Sequence, residues 1–290
     1  MSPPTTPEPP VLETHGLTIS FGGHVAVEGV SCAFRRGTLT AIVGPNGAGK
    51  TTYFNLISGQ LPASAGRVLL DGEDITTLAA PLRTRRGLGR AFQLTQLFAN
   101  LTVHENVRLA IQAREAGRGK GGGWGGVDLL RVWLDRKAWL DEAQAILAQV
   151  RLADKAQAPA SSLPHGDQRK LEVALLIALD PKVFMFDEPT AGMSVDEVPV
   201  VLDLIRGLKA RQDCTILLVE HKMDVVRELA DRIIVLHNGQ LVADGEPAAV
   251  IASPIVQQAY LGLPAEIGLE AGTDSTPPRS LPAERGGLPA

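Results

Sequence analysis

The sequence predicts an α/β fold, a largely parallel sheet covered by helices on both faces. Three observations carry that expectation. Strand-like apolar runs alternate with helically periodic segments along most of the chain, the pattern of repeated βα units. A glycine-rich loop, Gly44-Pro45-Asn46-Gly47-Ala48-Gly49-Lys50-Thr51, joins a buried strand at 39–43 to a helix at 52–58 that opens on Thr52. An apolar strand at 183–186 ends in Asp187-Glu188, and a parallel sheet delivers the C-terminal ends of its strands to one rim.

The elements follow in order. Residues 1–10 include five prolines and read as a disordered lead. From 11 to 34, two alternating segments flank Phe21-Gly22-Gly23, the signature of a β-hairpin. Segments 66–70 and 87–92 are further strand candidates near the turn Asp71-Gly72. Between about 102 and 179 the pattern is mostly helical, opened by Val107, Leu109 and Ile111, continued at 139–150 and closed at 171–179. Seven glycines between Gly117 and Gly126 interrupt it and read as a flexible loop. Trp124 inside that loop is either a partner contact or a stray exposed aromatic. A strand at 183–186, an amphipathic helix at 196–211, a strand at 214–219 and a helix at 222–230 come next. Strands at 233–237 and 240–243 pair, and a helix is expected over 246–261. From 263 to 290 the chain turns to Pro, Gly, Ser and Glu and reads as a disordered tail.

Composition narrows the function classes. With 44% apolar but only 4% aromatic residues, the core must be mostly aliphatic. A net charge of −4 carries no basic surplus and argues against nucleic acid as a partner. The longest apolar run, from Val173 to Leu179, is far below the ~18 residues of a membrane-spanning helix. The first residues lack the basic-then-apolar order of a secretory signal. Cys32 and Cys214 lie in apolar surroundings and read as buried thiols. The expectation is a cytoplasmic chain that does not itself cross a membrane.

The chemistry lies in five short segments. The loop Gly44 to Thr51 fits G-x-x-x-x-G-K-[ST] at every position, in the strand–loop–helix context that this motif requires. Its glycines admit torsions that residues with a Cβ avoid, so successive N–H groups turn inward as an anion nest at a helix N-terminus. Lys50 is expected to reach the β and γ phosphates of a nucleoside triphosphate, and the Thr51 hydroxyl to ligate Mg²⁺. Asp187 is placed to hold Mg²⁺, and Glu188 to orient and deprotonate the attacking water. His221, just after the strand at 214–219, is either structural or a sensor of the γ-phosphate. Gln93 ends the strand at 87–92, and its amide is a candidate for the metal shell or the water. Leu163-Pro164-His165-Gly166-Asp167 heads the helix that runs to Leu179. It is either a second anion-seeking helix start or a capping turn, with Pro164 suited to a first helical turn and Gly166 to close approach of a backbone or phosphate.

These five elements in this order resemble the nucleotide-binding subunit of ABC transporters, over about residues 11–262. The resemblance implies a P-loop NTPase core with an antiparallel β subdomain and a helical subdomain inserted at about 94–180. It assigns Gln93 to the Q-loop, residues 163–167 to the signature, Asp187 and Glu188 to the metal acid and catalytic glutamate, His221 to the switch and Phe21 to adenine stacking. It further implies ATP and Mg²⁺ as ligands and a head-to-tail pair with a second, homologous or identical ATP-binding subunit. Each ATP then lies between the phosphate loop of one subunit and the signature of the other. The helical insert docks a membrane permease. Leu94, Leu97 and Phe98 either line that groove or pack in the core.

The chain departs from the common pattern where Pro164 and His165 replace a serine and a glycine of the signature, and where the segment after Glu188 reads Ala191-Gly192-Met193-Ser194. Both changes resemble ATP-binding subunits of branched-chain amino-acid importers. So do Gly89-Arg90-Ala91-Phe92-Gln93, Leu97-Phe98, the run from Asn100 to Asn106, and the run from Pro254 to Gly262. That likeness implies two permeases and, indirectly, a periplasmic solute-binding protein, with the subunit peripheral on the cytoplasmic face of the inner membrane. Importers of urea or short amides carry close relatives. A non-transport ABC ATPase usually shows a long coiled coil or tandem nucleotide domains, whereas here there is one phosphate loop and no heptad run from 93 to 163. The Asn-Lys-x-Asp motif of GTPases is absent from the sequence.

Overall fold

Ten strands and eight α-helices are described in a computed structural model covering residues 9–91, 97–117, 129–254 and 256–257. The expected lead, the glycine cluster with Trp124, the tail, and both Gln93 and Leu94 lie largely or wholly outside those residues.

The central sheet has the order β10-β9-β3-β8-β7-β6. Its strands are β3 (Leu39–Val43), β6 (Leu88–Ala91), β7 (Val183–Asp187), β8 (Thr215–Val219), β9 (Arg232–His237) and β10 (Gln240–Gly245). All neighbours are parallel except β9 and β10, which form an antiparallel edge pair. β3, β7 and β8 are buried at every residue, as expected of strands covered on both faces. Their side chains divide by the two-residue period: Val183 and Met185 enter one core, Phe184 and Phe186 the other.

A second, four-stranded antiparallel sheet has the order β2-β1-β4-β5. It consists of β1 (Leu12–Phe21), β2 (His24–Phe34), β4 (Ala65–Leu70) and β5 (Glu73–Asp74). The expected hairpin turns at Gly22 and Gly23, both at positive φ. This sheet and the central one enclose α1 (Lys50–Ser58), whose Tyr53, Phe54, Leu56 and Ile57 are buried in the core between them. On the opposite face lie α6 (Val198–Ala210) and α7 (Met223–Leu229).

The helical segment forms a core of its own from α3 (Val103–Gly117), α4 (Leu129–Gln149) and α5 (His165–Leu179). α5 belongs to two cores. Leu171, Ala174 and Ala178 face α3 and α4, whereas Val173 and Leu176 face the central sheet. No helix among the described residues is long and apolar enough to cross a membrane.

Three elements differ from the sequence expectation, among them the two-residue strand β5, which had no counterpart in it. A short helix, α2 (Ala80–Arg86), precedes β6 and was not anticipated. The final helix, expected over 246–261, is broken at Ser253 (φ −66°, ψ 129°): α8 covers Pro247–Ala252, residues 254, 256 and 257 are helical again, and 258–261 lie outside the described residues. Pro254 accounts for that break, because its ring pushes the preceding residue out of the helical region.

Candidate functional site

The loop after β3 is built by its glycines. Gly44, Gly47 and Gly49 sit at φ 152°, 79° and 95°. A Cβ on Gly44 would lie 2.1 Å from the Leu236 carbonyl oxygen, and one on Gly49 2.6 Å from that of Ala26. Gly44→Ala is therefore expected to cost about 1–3 kcal/mol through overpacking against a fixed backbone, read as a lowered melting temperature. An unchanged melting temperature would mean that the β9 backbone yields freely. The Ala48 N–H donates to the Pro45 carbonyl, and α1 begins directly after Gly49 with neither a side-chain cap nor an acidic residue in its first turn. Its leading N–H groups have no partner within the helix, which leaves positive partial charge at the loop.

Lys50 is buried, and its Nζ donates to the carbonyl oxygens of Gly44 (2.8 Å) and Pro45 (2.9 Å). These bonds use two of the ammonium's three donors. Burial pulls the Lys50 ammonium below its ordinary value, and the carboxylates of Glu188 and Asp187 oppose that pull. Thr51 and Thr52 follow in the first turn of α1, both partly exposed.

Strand register brings the acids to the same rim. Ile42 and Asp187 both pair with Val219, on opposite sides of β8. Gly44 therefore begins its loop where β7 ends and Glu188 begins. Asp187 is buried, and its Oδ2 accepts from Arg90 Nη2 at 2.9 Å, whereas its Oδ1 is buried without a hydrogen-bond partner. Burial raises the Asp187 carboxyl above its ordinary value, with Arg90 pulling the other way. An orphaned carboxylate oxygen on the rim that carries the anion cradle fits a hard divalent cation that takes the rest of its ligands from phosphates and water.

Glu188 adopts φ 51°, uncommon for a residue with a Cβ, and its N–H donates to the Val219 carbonyl at 3.0 Å. That turn brings Glu188 Oε1 to 2.5 Å from His221 Nε2. The buried Glu220 accepts from the Thr190 hydroxyl and, at 2.8 Å, from the His221 N–H. It thereby straps the turn after β7 to the turn after β8. Neither Arg90 nor Glu220 was assigned a role from the sequence. Their partners are 97 and 30 residues away, and local pattern holds no sign of such pairs.

The signature segment lies elsewhere. Pro164 is the residue before α5 rather than part of its first turn, at φ −57°, ψ 157°. Pro164 and His165 are exposed, whereas Leu163, Gly166 and Asp167 are buried. What approaches Gly166 within the chain is a side chain. A Cβ there would meet Glu197 Oε1 at 2.0 Å, and that carboxylate also accepts from Ser194 Oγ at 3.0 Å and faces Lys170 at 3.7 Å. Asp167 is held by Lys155 and by Lys170 (2.8 Å). Among the described residues, no hydrogen bond or ion pair joins residues 163–167 to loop 44–51.

Phe21 ends β1 at 47% exposure, in the sheet whose β2 strand touches the loop at Ala26. Of the two expectations for Leu97 and Phe98, Leu97 packs on the helical core while Phe98 is 60% exposed. The buried Asn106 holds that loop through both the N–H and the carbonyl of Phe98. A groove of about 1170 Å³ is lined by Ser58, Gln60, Arg85, Ala113 and Lys182.

A family model described as ABC transporter matches residues 27–191, more than half of the chain and inclusive of the phosphate loop and both acids. The chain belongs to the ABC transporter family. It is an ATP-binding and ATP-hydrolysing protein of the transport class, as the resemblance implied. It is 37% identical over 253 residues to the high-affinity branched-chain amino acid transport ATP-binding protein BraF of Pseudomonas aeruginosa, covering 87% of this chain and 98% of that one. LivG of Escherichia coli, which carries the same description, is 37% identical over 256 residues, with the same coverages. The ABC transporter cassette MJ1267 in its ADP conformation superposes with a TM-score of 0.70 at 28% identity, over 87% of this chain and 99% of that one. The fold is thus that of the ABC ATPase cassettes, with its P-loop core, antiparallel sheet and helical segment.

Proposed function

We propose that this chain is the ATPase subunit of an importer for branched-chain or related amino acids. The observation that carries this reading is the 37% identity, across 87% of the chain, to proteins named for branched-chain amino acid transport. Loop 44–51 cradles the triphosphate, with Lys50 at the β and γ phosphates and Phe21 against the adenine. Mg²⁺, with Thr51, Asp187 and Gln93 as its protein-side groups, would neutralise charge on the phosphate oxygens. Glu188 takes a proton from the attacking water while His221 holds its carboxylate and senses the γ-phosphate.

The exposed Pro164 and His165 at the head of α5 face a second ATP-binding subunit, so that each chain completes the other's site. Closure of the pair does work on permease subunits docked on the helical segment at the exposed Phe98, and phosphate release reopens it. A periplasmic binding protein supplies the solute on the far side, with this subunit peripheral on the cytoplasmic face of the inner membrane. Deleting the gene should abolish high-affinity uptake of labelled leucine or valine, and the intact chain should restore it. Affinity capture from solubilised membranes should bring permease subunits along. Unchanged uptake of these amino acids alongside lost urea uptake would reassign the solute. Recovery with ribosomes or DNA instead would defeat the transport partners.

A further inference from the structure

We propose that Arg90 is a positioning residue that sets Asp187 for the metal. Its guanidinium is a three-way gauge. Nη2 donates to Asp187 Oδ2 at 2.9 Å, while Nη1 donates to Asn55 Oδ1 at 2.6 Å and to Ser58 Oγ at 2.9 Å. Asn55 and Ser58 lie on α1, the helix that begins at Lys50. One planar group thus fixes the end of β7 against the helix that carries the phosphate loop. The Phe54 ring, 5.7 Å from the guanidinium carbon, holds its plane.

The geometry differs from that of a pair built for stability alone. The side chains are 7% and 0% exposed, and a buried pair is often no more stable than packed apolar residues. A guanidinium facing a lone carboxylate favours two parallel bonds, yet Arg90 gives Asp187 a single bond through Nη2, and its Nε is buried without a partner. Asp187 Oδ1 is likewise buried without a partner rather than turned to that Nε, a cost that a waiting ligand explains. Arg90 also lies on edge strand β6, three residues before Gln93, so the strand leading to the Q-loop is pinned to the same carboxylate.

The inference rests on Asp187 being the metal-side acid. It is tested with the full-length chain and a fluorescent ATP analogue, by titrating Mg²⁺ against nucleotide affinity. Arg90→Met should leave affinity without divalent cation within about twofold of wild type and raise half-saturating Mg²⁺ by roughly 10–100-fold, the usual scale for losing an outer partner of a ligand. Arg90→Lys, which keeps the charge but cannot span both α1 and Asp187, should fall between. Equal losses of affinity with and without Mg²⁺ would mean that Arg90 merely supports the fold, and would overturn the proposal. If Arg90→Met does not fold, Asn55→Ala carries the test, because it removes a strut and keeps the ion pair. A smaller shift in the same direction supports the gauge, and no shift overturns it. Asp187→Asn separates the two levels: if it leaves the Mg²⁺ dependence intact, the metal assignment itself fails.

Discussion

Glu188→Gln is expected to leave ATP binding intact and to lower turnover in the assembled transporter by about 10²–10⁴-fold, the usual contribution of a positioned general base. The geometry makes the substitution unusually clean. The Glu188 backbone is fixed by its N–H bond to Val219 and its turn at φ 51°, neither of which involves the carboxylate. The glutamine Oε1 can still accept from His221 Nε2, where Glu188 Oε1 lies at 2.5 Å. What disappears is the negative charge that the proposed role uses to take the proton. That charge also faces Lys50, so its loss removes a competitor for the ammonium and should not weaken triphosphate binding. The check is paired: equilibrium ATP binding on the purified chain, and phosphate release from the complex with its permeases. Near-normal phosphate release would take Glu188 out of its role and turn attention to His221.

The sequence was most informative where structure is local. Loop 44–51 is read in a single window because strand, glycines, lysine and helix are contiguous, and the alternation of apolar runs gave β3, β7 and β8 nearly to the residue. α2 escaped because its one buried side chain is Arg83, not an apolar residue. That guanidinium donates to the carbonyls of Leu56, Ile57, Thr76 and Leu78, so α2 is held by polar bonds and has no hydrophobic period to read. The break at Ser253 escapes for the opposite reason, since apolar content continues across it while Pro254 pushes the residue before it out of the helical region. At the site, residue types were legible but pairings were not. Glu188 meets His221, Asp187 meets Arg90 and Thr190 meets Glu220 only because β6, β7 and β8 lie side by side in register. Gly166 shows the same limit, because its need for a glycine comes from Glu197, the residue before α6 and 31 positions away.

Lys50→Ala should cost triphosphate affinity on the scale of about 3 kcal/mol, roughly 100-fold or more, the penalty for removing one partner of a buried charge pair. The side chain is 6% exposed, so a phosphate bound against it would be left, in the variant, in a site where water compensates poorly. Lys50 is also already committed to the loop. Its bonds to Gly44 and Pro45 carbonyls hold the ammonium at the mouth of the nest, so little side-chain entropy is lost when a phosphate arrives. Arginine should not rescue, because its broad planar fork does not fit where a compact ammonium is seated between two carbonyls. The discriminating comparison is between nucleotides. If Lys50 meets the β and γ phosphates, the loss should be large for ATP, smaller for ADP and least for AMP, in titrations at one Mg²⁺ concentration. A loss equal for all three would place the effect in the fold of the loop, where the two carbonyl bonds would be its cause. Unchanged ATP affinity would remove the lysine from the phosphate site altogether.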